Sequence, residues 1–174
     1  MDFCSIASGS SGNCTYTGTD ETALLVDAGI SARQIEKGLH SIDRTAEDID
    51  GILVTHEHSD HIKGLGVLSR RYGIPIYGTR GTLKAVANCS SLGQIDAGLY
   101  REIHVDQDFQ VGDVTVHPFE IPHDAAQPSA YRLSHEDTSV AVVTDLGVFS
   151  DYIIENMKGL DAVLLEANHD IRML

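Results

Sequence analysis

Apolar and polar positions alternate in short blocks from the first residues onward. "DFCSIA", "CTYTG" and "TALLVD" read as strands, separated by the Gly, Ser, Asn and Asp clusters that make turns. The rhythm then lengthens to three and four: Ile35, Leu39 and Ile42 in "SARQIEKGLHSI" predict a helical stripe with Ser31 as its N-cap. The alternation repeats with "DGILVT" as a buried strand and "HIKGLGVLSRRYG" as a helix closed by Gly73. "IPIYG" follows as a strand, and "TRGTLKAVANC" as a helix capped by Thr79. From about residue 101 strands return in "REIHV", "FQVGDVTVHPFEI" and "SAYRLSHEDTSVAVVTD", the last two with hairpin turns at "GD" and "HED". "FSDYIIENMKG" predicts another helix and "DAVLLEAN" another strand.

Antiparallel strand runs interleaved with helices predict an α/β fold of αββα sandwich type, two sheets covered by helices, rather than a regular parallel βαβ array. A chain of 174 residues has room for one such domain, read here as 1–174. It ends at "EANHDIRML", directly after a strand, so the expectation is an uncovered sheet edge and a domain incomplete at its C-terminal end.

Composition narrows the function classes. Acidic residues outnumber basic ones 26 to 12, a net charge of −14, which argues against a broad basic surface for loose nucleic-acid or anionic-membrane binding. An anionic substrate then needs locally supplied positive charge, and bound divalent cations would provide it. Cys4, Cys14 and Cys89 lack C-x-x-C spacing, which points away from a disulfide framework or a thiolate zinc site and toward a reducing cytoplasm. No export signal and no apolar stretch of membrane-spanning length is expected. Homo-oligomerisation is left open.

The chemistry concentrates in "THEHSDH", residues 55–61, directly after the apolar run "GILV". His56, His58, Asp60 and His61 are ligand types for zinc-like metals, and a strand end is a rigid base from which a loop can aim them at one point. Two more ligand types end apolar runs in the same way: His123 in "VTVHPFEIPHDA" and Asp145 in "TSVAVVTDLG". The expected division gives one cation His56, His58 and His123, a second Asp60 and His61, with Asp145 spanning both. Asp27, closing "ALLVD", is read either as a partner that fixes the tautomer of a ligand imidazole or as a turn former. The loop Ser8, Gly9, Ser10, Ser11, Gly12, Asn13 is read either as a phosphate-binding nest of backbone N–H groups or as a hairpin connection. His40, His104, His117 and His135 are read as structural or surface residues. Glu166, Asn168 and His169 follow the last strand and are placed at the same rim, with His169 as a proton shuttle.

These residues resemble the metallo-β-lactamase superfamily. "THEHSDH" is similar to its H-x-H-x-D-H signature, and "LLVDAG", His123 and Asp145 fall in the order of its other motifs. "SIASGSSGNCTY", "VTDLG" and "EANHD" resemble the bacterial YycJ/WalJ-like branch. The resemblance implies a metallo-β-lactamase fold and a metal-dependent hydrolase cleaving phosphodiesters, with DNA exonuclease activity associated with the branch. It also implies two divalent ions, zinc first with manganese or iron as alternatives. The resemblance places the superfamily's final histidine, in a G-H-L-S-type segment, well beyond "EANHD", so the expectation is either a fragment or a chain whose remainder is not in this sequence, with Asp60, His61 and Asp145 as the second-site ligands within these residues. The expected nucleophile is a metal-bridging hydroxide, with Asp60 and Asp145 setting the metals' separation. Two other readings stand beside this one. A small ester, thioester or cyclic phosphodiester would suit the same centre, and a non-catalytic, metal-stabilised interaction module would also account for the missing histidine.

Overall fold

A computed structural model describes residues 1–166 as two facing sheets with helices packed outside. The first sheet runs in sequence order through β1 (Asp2–Ala7), β2 (Cys14–Gly18), β3 (Ala23–Val26), β4 (Gly51–Leu53), β5 (Ile76–Thr79) and β6 (Tyr100–Ile103). The second is ordered β11 (Ala162–Leu165), β10 (Thr138–Val143), β9 (Ser129–His135), β8 (Val114–Glu120) and β7 (Phe109–Val111). The helices are α1 (Ala32–His40), α2 (Ser59–Ile62), α3 (Leu65–Tyr72), α4 (Arg80–Asn88) and α5 (Asp151–Asn156). The Asn168 and His169 readings lie outside the described residues.

Side-chain alternation sorts the core into layers. Leu24, Val26 and Leu53 of the first sheet face Val114, Val116, Tyr131, Leu133, Val140 and Val142 of the second. The opposite face of the first sheet presents Leu25, Ile52 and Ile76 to Ile35, Leu39, Leu65, Leu68, Leu83 and Val86 from α1, α3 and α4. Ser31 caps α1 in a capping box with Gln34, and Thr79 caps α4.

Two expectations change. The first sheet holds a parallel run, since β3, β4, β5 and β6 all point the same way. Each is linked to the next by a segment that contains helix, so a βαβ array sits inside the sandwich rather than being excluded by it. The helix expected over His61–Gly73 is broken between Ile62 and Leu65. The Gly64 amide donates to Ala28 O at 2.7 Å, and a Cβ there would strike Ile30 O, so the backbone is drawn sideways onto the segment after β3.

Direction determines where the loops collect. β3, β4 and β5 end at one edge of the first sheet, and β8, β10 and β11, which share a direction in the second, end there too. The two sheets are pinned together at that edge: Tyr131 donates its hydroxyl to Val54 O at 2.8 Å, and Ser129 N donates to Thr55 O at 3.0 Å. Three segments also meet backbone to backbone, with Asn13 N donating to Asp60 O and Gly29 N to Asn13 O, both at 2.7 Å. Gly29 permits this crossing, because a Cβ would collide with the Asp60 carbonyl and with the amide nitrogen of Asn13. Gly29→Ala is expected to cost about 3 kcal/mol or more through forced backbone separation. Urea denaturation checks this, and a midpoint matching the parent would show that the crossing carries no such constraint.

Candidate metal centre

The His-rich loop begins where β4 ends, and its first residues are locked by a buried carboxylate. Asp27 follows β3 in a left-handed conformation, φ 62°, which an aspartate tolerates better than most side chains. The turn sends its carboxylate under the loop. Oδ1 accepts from Thr55 N at 2.8 Å, and Oδ2 accepts from Thr55 Oγ1 at 2.8 Å and faces His61 Nδ1 at 2.7 Å. Thr55 Oγ1 lies 3.0 Å from His56 Nδ1, so the same small network orients two imidazoles. Thr55 was not singled out in the sequence. Its signal was its place, directly before the first histidine and after the strand.

The remaining side chains arrive from two other loops. The His56 ring centre is 4.6 Å from His58, 4.0 Å from His61 and 4.6 Å from His123. His123 comes from the segment after β8, and its Nε2 is 3.3 Å from His58 Nδ1. That segment is held by Glu57 Oε1, which accepts from Ala126 N at 2.8 Å, and by Thr79 Oγ1, which donates to Gln127 O at 2.7 Å. Asp145 follows β10 with φ 55°, and its Oδ2 lies 2.9 Å from His61 Nε2 and 3.8 Å from His56 Nε2.

Two overlapping donor groups result, His56 with His58 and His123, and His56 with His61 and Asp145, each with atoms within 4.8 Å of one another. They suit a divalent metal in number and type. His56 is the shared member of the two groups. Asp60, with a side chain 35% exposed, stands at the margin: its Oδ2 is 3.8 Å from His61 Nε2, outside both groups. His56 Nε2 is buried and makes no hydrogen bond, a costly state for a ring nitrogen unless something else is to be bound there.

Electrostatics separates the rings. Burial lowers the basicity of His56, and the charge on His61 lowers it further, to about 3. Burial works against protonation of His61 too, but Asp27 and Asp145 outweigh it and hold its pKa up at about 10. The hydrogen bond from His61 in turn keeps Asp145 below the usual carboxylate range. Without a metal, the cluster therefore stores its positive charge on His61.

The Ser8–Asn13 loop turns amides inward. Gly9 N donates to Asn13 Oδ1 at 3.0 Å, Gly12 N to Gly9 O at 2.9 Å, and Asn13 N is spent on Asp60. The buried Asn13 places Nδ2 3.1 Å from His61 Nε2, so this side chain joins the loop to the cluster. Glu166, after β11, is joined to the Asp145 loop by backbone bonds to Val143 and Leu146. Burial raises its pKa, and the charge of Asp145 raises it further. His117 is bound to Asp108 and Asn156 and His135 to Asp113, away from the cluster. No helix among the described residues is long and apolar enough to cross a membrane.

Known proteins resemble this chain in sequence and in fold. The chain is 42% identical to a protein named Exodeoxyribonuclease WalJ from Streptococcus pneumoniae serotype 2 (strain D39) over 169 residues, 97% of this chain and 63% of that protein. It is 42% identical to one named Exodeoxyribonuclease YycJ from Bacillus anthracis over 174 residues, all of this chain and 65% of that one. The chain thus spans less than two thirds of the length of these relatives. The metallo-β-lactamase fold protein YhfI from Bacillus subtilis superposes with a TM-score of 0.74 at 21% identity, covering 94% of this chain and 66% of that one, which establishes the fold. The family profile described as Beta-lactamase superfamily domain matches residues 22–173. With its two facing sheets and histidine-bearing edge loops, this chain belongs to the β-lactamase superfamily and has the metallo-β-lactamase fold.

Proposed function

We propose that this chain carries the metal-binding core of a hydrolase that cleaves phosphodiester bonds in nucleic acid, DNA ends foremost, with two divalent cations, zinc first. The observation that supports the reading is the convergence of four imidazoles and a carboxylate from three loops, with His56 Nε2 buried and unbonded among them. The substrate class follows from the relatives named as exodeoxyribonucleases.

In this reading His56, His58 and His123 would hold one cation. His61 and Asp145 would hold the other, with Asp60 joining the second set. When bound, such cations bring positive charge to a phosphodiester and acidify water, so that hydroxide is available near neutral pH. The protein's own groups prepare the place. Asp27 keeps the Nδ1 proton on His61 and turns Nε2 toward Asp145, while Thr55 does the corresponding work for His56. Exposed His58 marks the open side by which a substrate enters. Cys14 is no nucleophile here, since burial and then the Asp27 charge push its thiol far up.

Metal analysis of the purified protein, run beside an assay on end-labelled DNA, tests the reading. His58→Ala, Asp60→Ala and His123→Ala should each lose metal and fall more than about 100-fold in rate, beyond what loss of a supporting residue costs. Full DNA cleavage by His123→Ala would sink the proposal. If turnover is confined to a small chromogenic phosphodiester and is insensitive to salt, the small-ester reading takes its place.

Metal uptake should also move protons. His61 is held protonated up to about pH 10, whereas His56 is neutral above about pH 3. Zinc added at pH 7.5 should therefore release about one proton from His61. Calorimetry in two buffers of different ionisation enthalpy gives the total release, water included, and the difference between the parent and Asp27→Asn gives the His61 share. Asp27→Asn removes the strongest support for that charge, so its count should fall and its zinc affinity should drop about 10- to 100-fold.

A further inference from the structure

The acidic balance of this chain is not spread evenly. Residues 61–95 contain Lys63, Arg70, Arg71, Arg80 and Lys84 and not one Asp or Glu, leaving seven basic against 26 acidic residues in the rest of the chain. The stretch starts inside the metal loop. It runs through α2, α3, β5 and α4.

The five cations are not equivalent. Arg70 is tied to Leu92 O at 2.5 Å, and Arg71 is paired with Glu36 at 2.6 Å. Both lie in the last turn of α3, which leads back toward the start of β5, the edge opposite the histidines. Lys63, Arg80 and Lys84 are exposed, and their side chains form no ion pair among the described residues. Lys63 is two residues past His61. Arg80 opens α4 directly after β5, on the edge where β4 releases the metal loop. Lys84, four residues on, shares a helix face with it.

α4 is joined to the His123 segment by more than proximity. Gln127 Oε1 accepts from Gly81 N at 2.9 Å, and Gln127 O accepts from the hydroxyls of Thr79 and Thr82 at 2.7 and 3.0 Å. A Cβ on Gly81 would press on the Gln127 side chain. The chain from His123 to Gln127 is therefore a short bridge between the metal cluster and the first turn of α4. The bridge itself carries the exposed Asp124 beside His123 and is held by Glu57, and beyond it Arg80 and Lys84 are, among the described residues, the unpaired cations that a strand leaving the cluster would meet on α4.

We infer that Arg80 and Lys84 form a phosphate-binding ridge for the nucleic-acid strand, carrying its backbone across the 123–127 segment and away from the cleaved bond. The inference rests on the nucleic-acid reading above and adds the path of the polymer. Both cations lie outside the donor groups, so they bind the polymer without touching the reacting phosphate.

The test measures binding of a fluorescent single-stranded DNA by zinc-loaded protein across a salt series, with Arg80→Gln/Lys84→Gln beside the parent. Turnover of a small chromogenic phosphodiester is followed in parallel. Each phosphate contact contributes about 0.7 to the slope of log affinity against log salt on single strands, so the double variant should lose about 1.4 from that slope. Its affinity should fall at low salt, and its small-substrate rate should match the parent. Arg71→Gln, which removes a cation at the opposite edge, should leave the slope unchanged. An unchanged slope in the double variant, or an equal loss in Arg71→Gln, overturns the ridge while leaving the nuclease reading intact. A parent that binds no DNA yet turns over the small phosphodiester overturns both.

Discussion

The buried carboxylate of Asp27 is the interaction on which the site depends. A charge at 1% exposure is tolerable only when its oxygens are fully used, and here they face the Thr55 amide, the Thr55 hydroxyl and the His61 ring. Those three contacts set the first and last parts of the metal loop at once. Because Asp27 hangs from β3 and the loop from β4, neighbours in parallel register, the backbone itself sets the distance between them. The left-handed turn at Asp27 aims the side chain under the loop, a local strain offset by the bonds it permits.

From that anchor the charge pattern of the cluster follows. One imidazole, His61, sits between two carboxylates and keeps a proton, and its charge helps deny one to His56 a ring's width away. A metal-binding cluster needs neutral, forward-facing nitrogens, and the packing has already delivered one at His56. His61 requires an exchange of proton for metal. The same carboxylate that holds the proton also orients the ring for the exchange, which is why Asp27 influences both occupancy and geometry.

The second sheet contributes by clamping rather than by chemistry alone. Tyr131 and Ser129 bond to the backbone of residues 54 and 55, and Glu57 and Thr79 hold the segment that follows His123. Two sheets that met only through apolar side chains could slide. These polar ties near the edge remove that freedom where misplacement would matter most. Glu57, the variable place in the motif, thus serves as a latch between two ligand-bearing loops.

Much of this was legible in the residues themselves. The strands and helices follow from period two and period three to four, with Ser31, Thr79 and Gly73 at the positions their capping chemistry predicts. The donor types in "THEHSDH", His123 and Asp145 were visible as strand-end residues, and the structure brings them to one edge because direction, not just order, is shared by β4, β8 and β10. Sequence periodicity carries no information on strand direction, so the parallel run of the first sheet had to come from tertiary pairing. The break at Gly64 and the sharing of His56 between donor groups were decided there as well. Each depends on a contact between segments far apart in the chain. A pattern of side chains names the groups available, whereas close backbone approach determines which of them can meet.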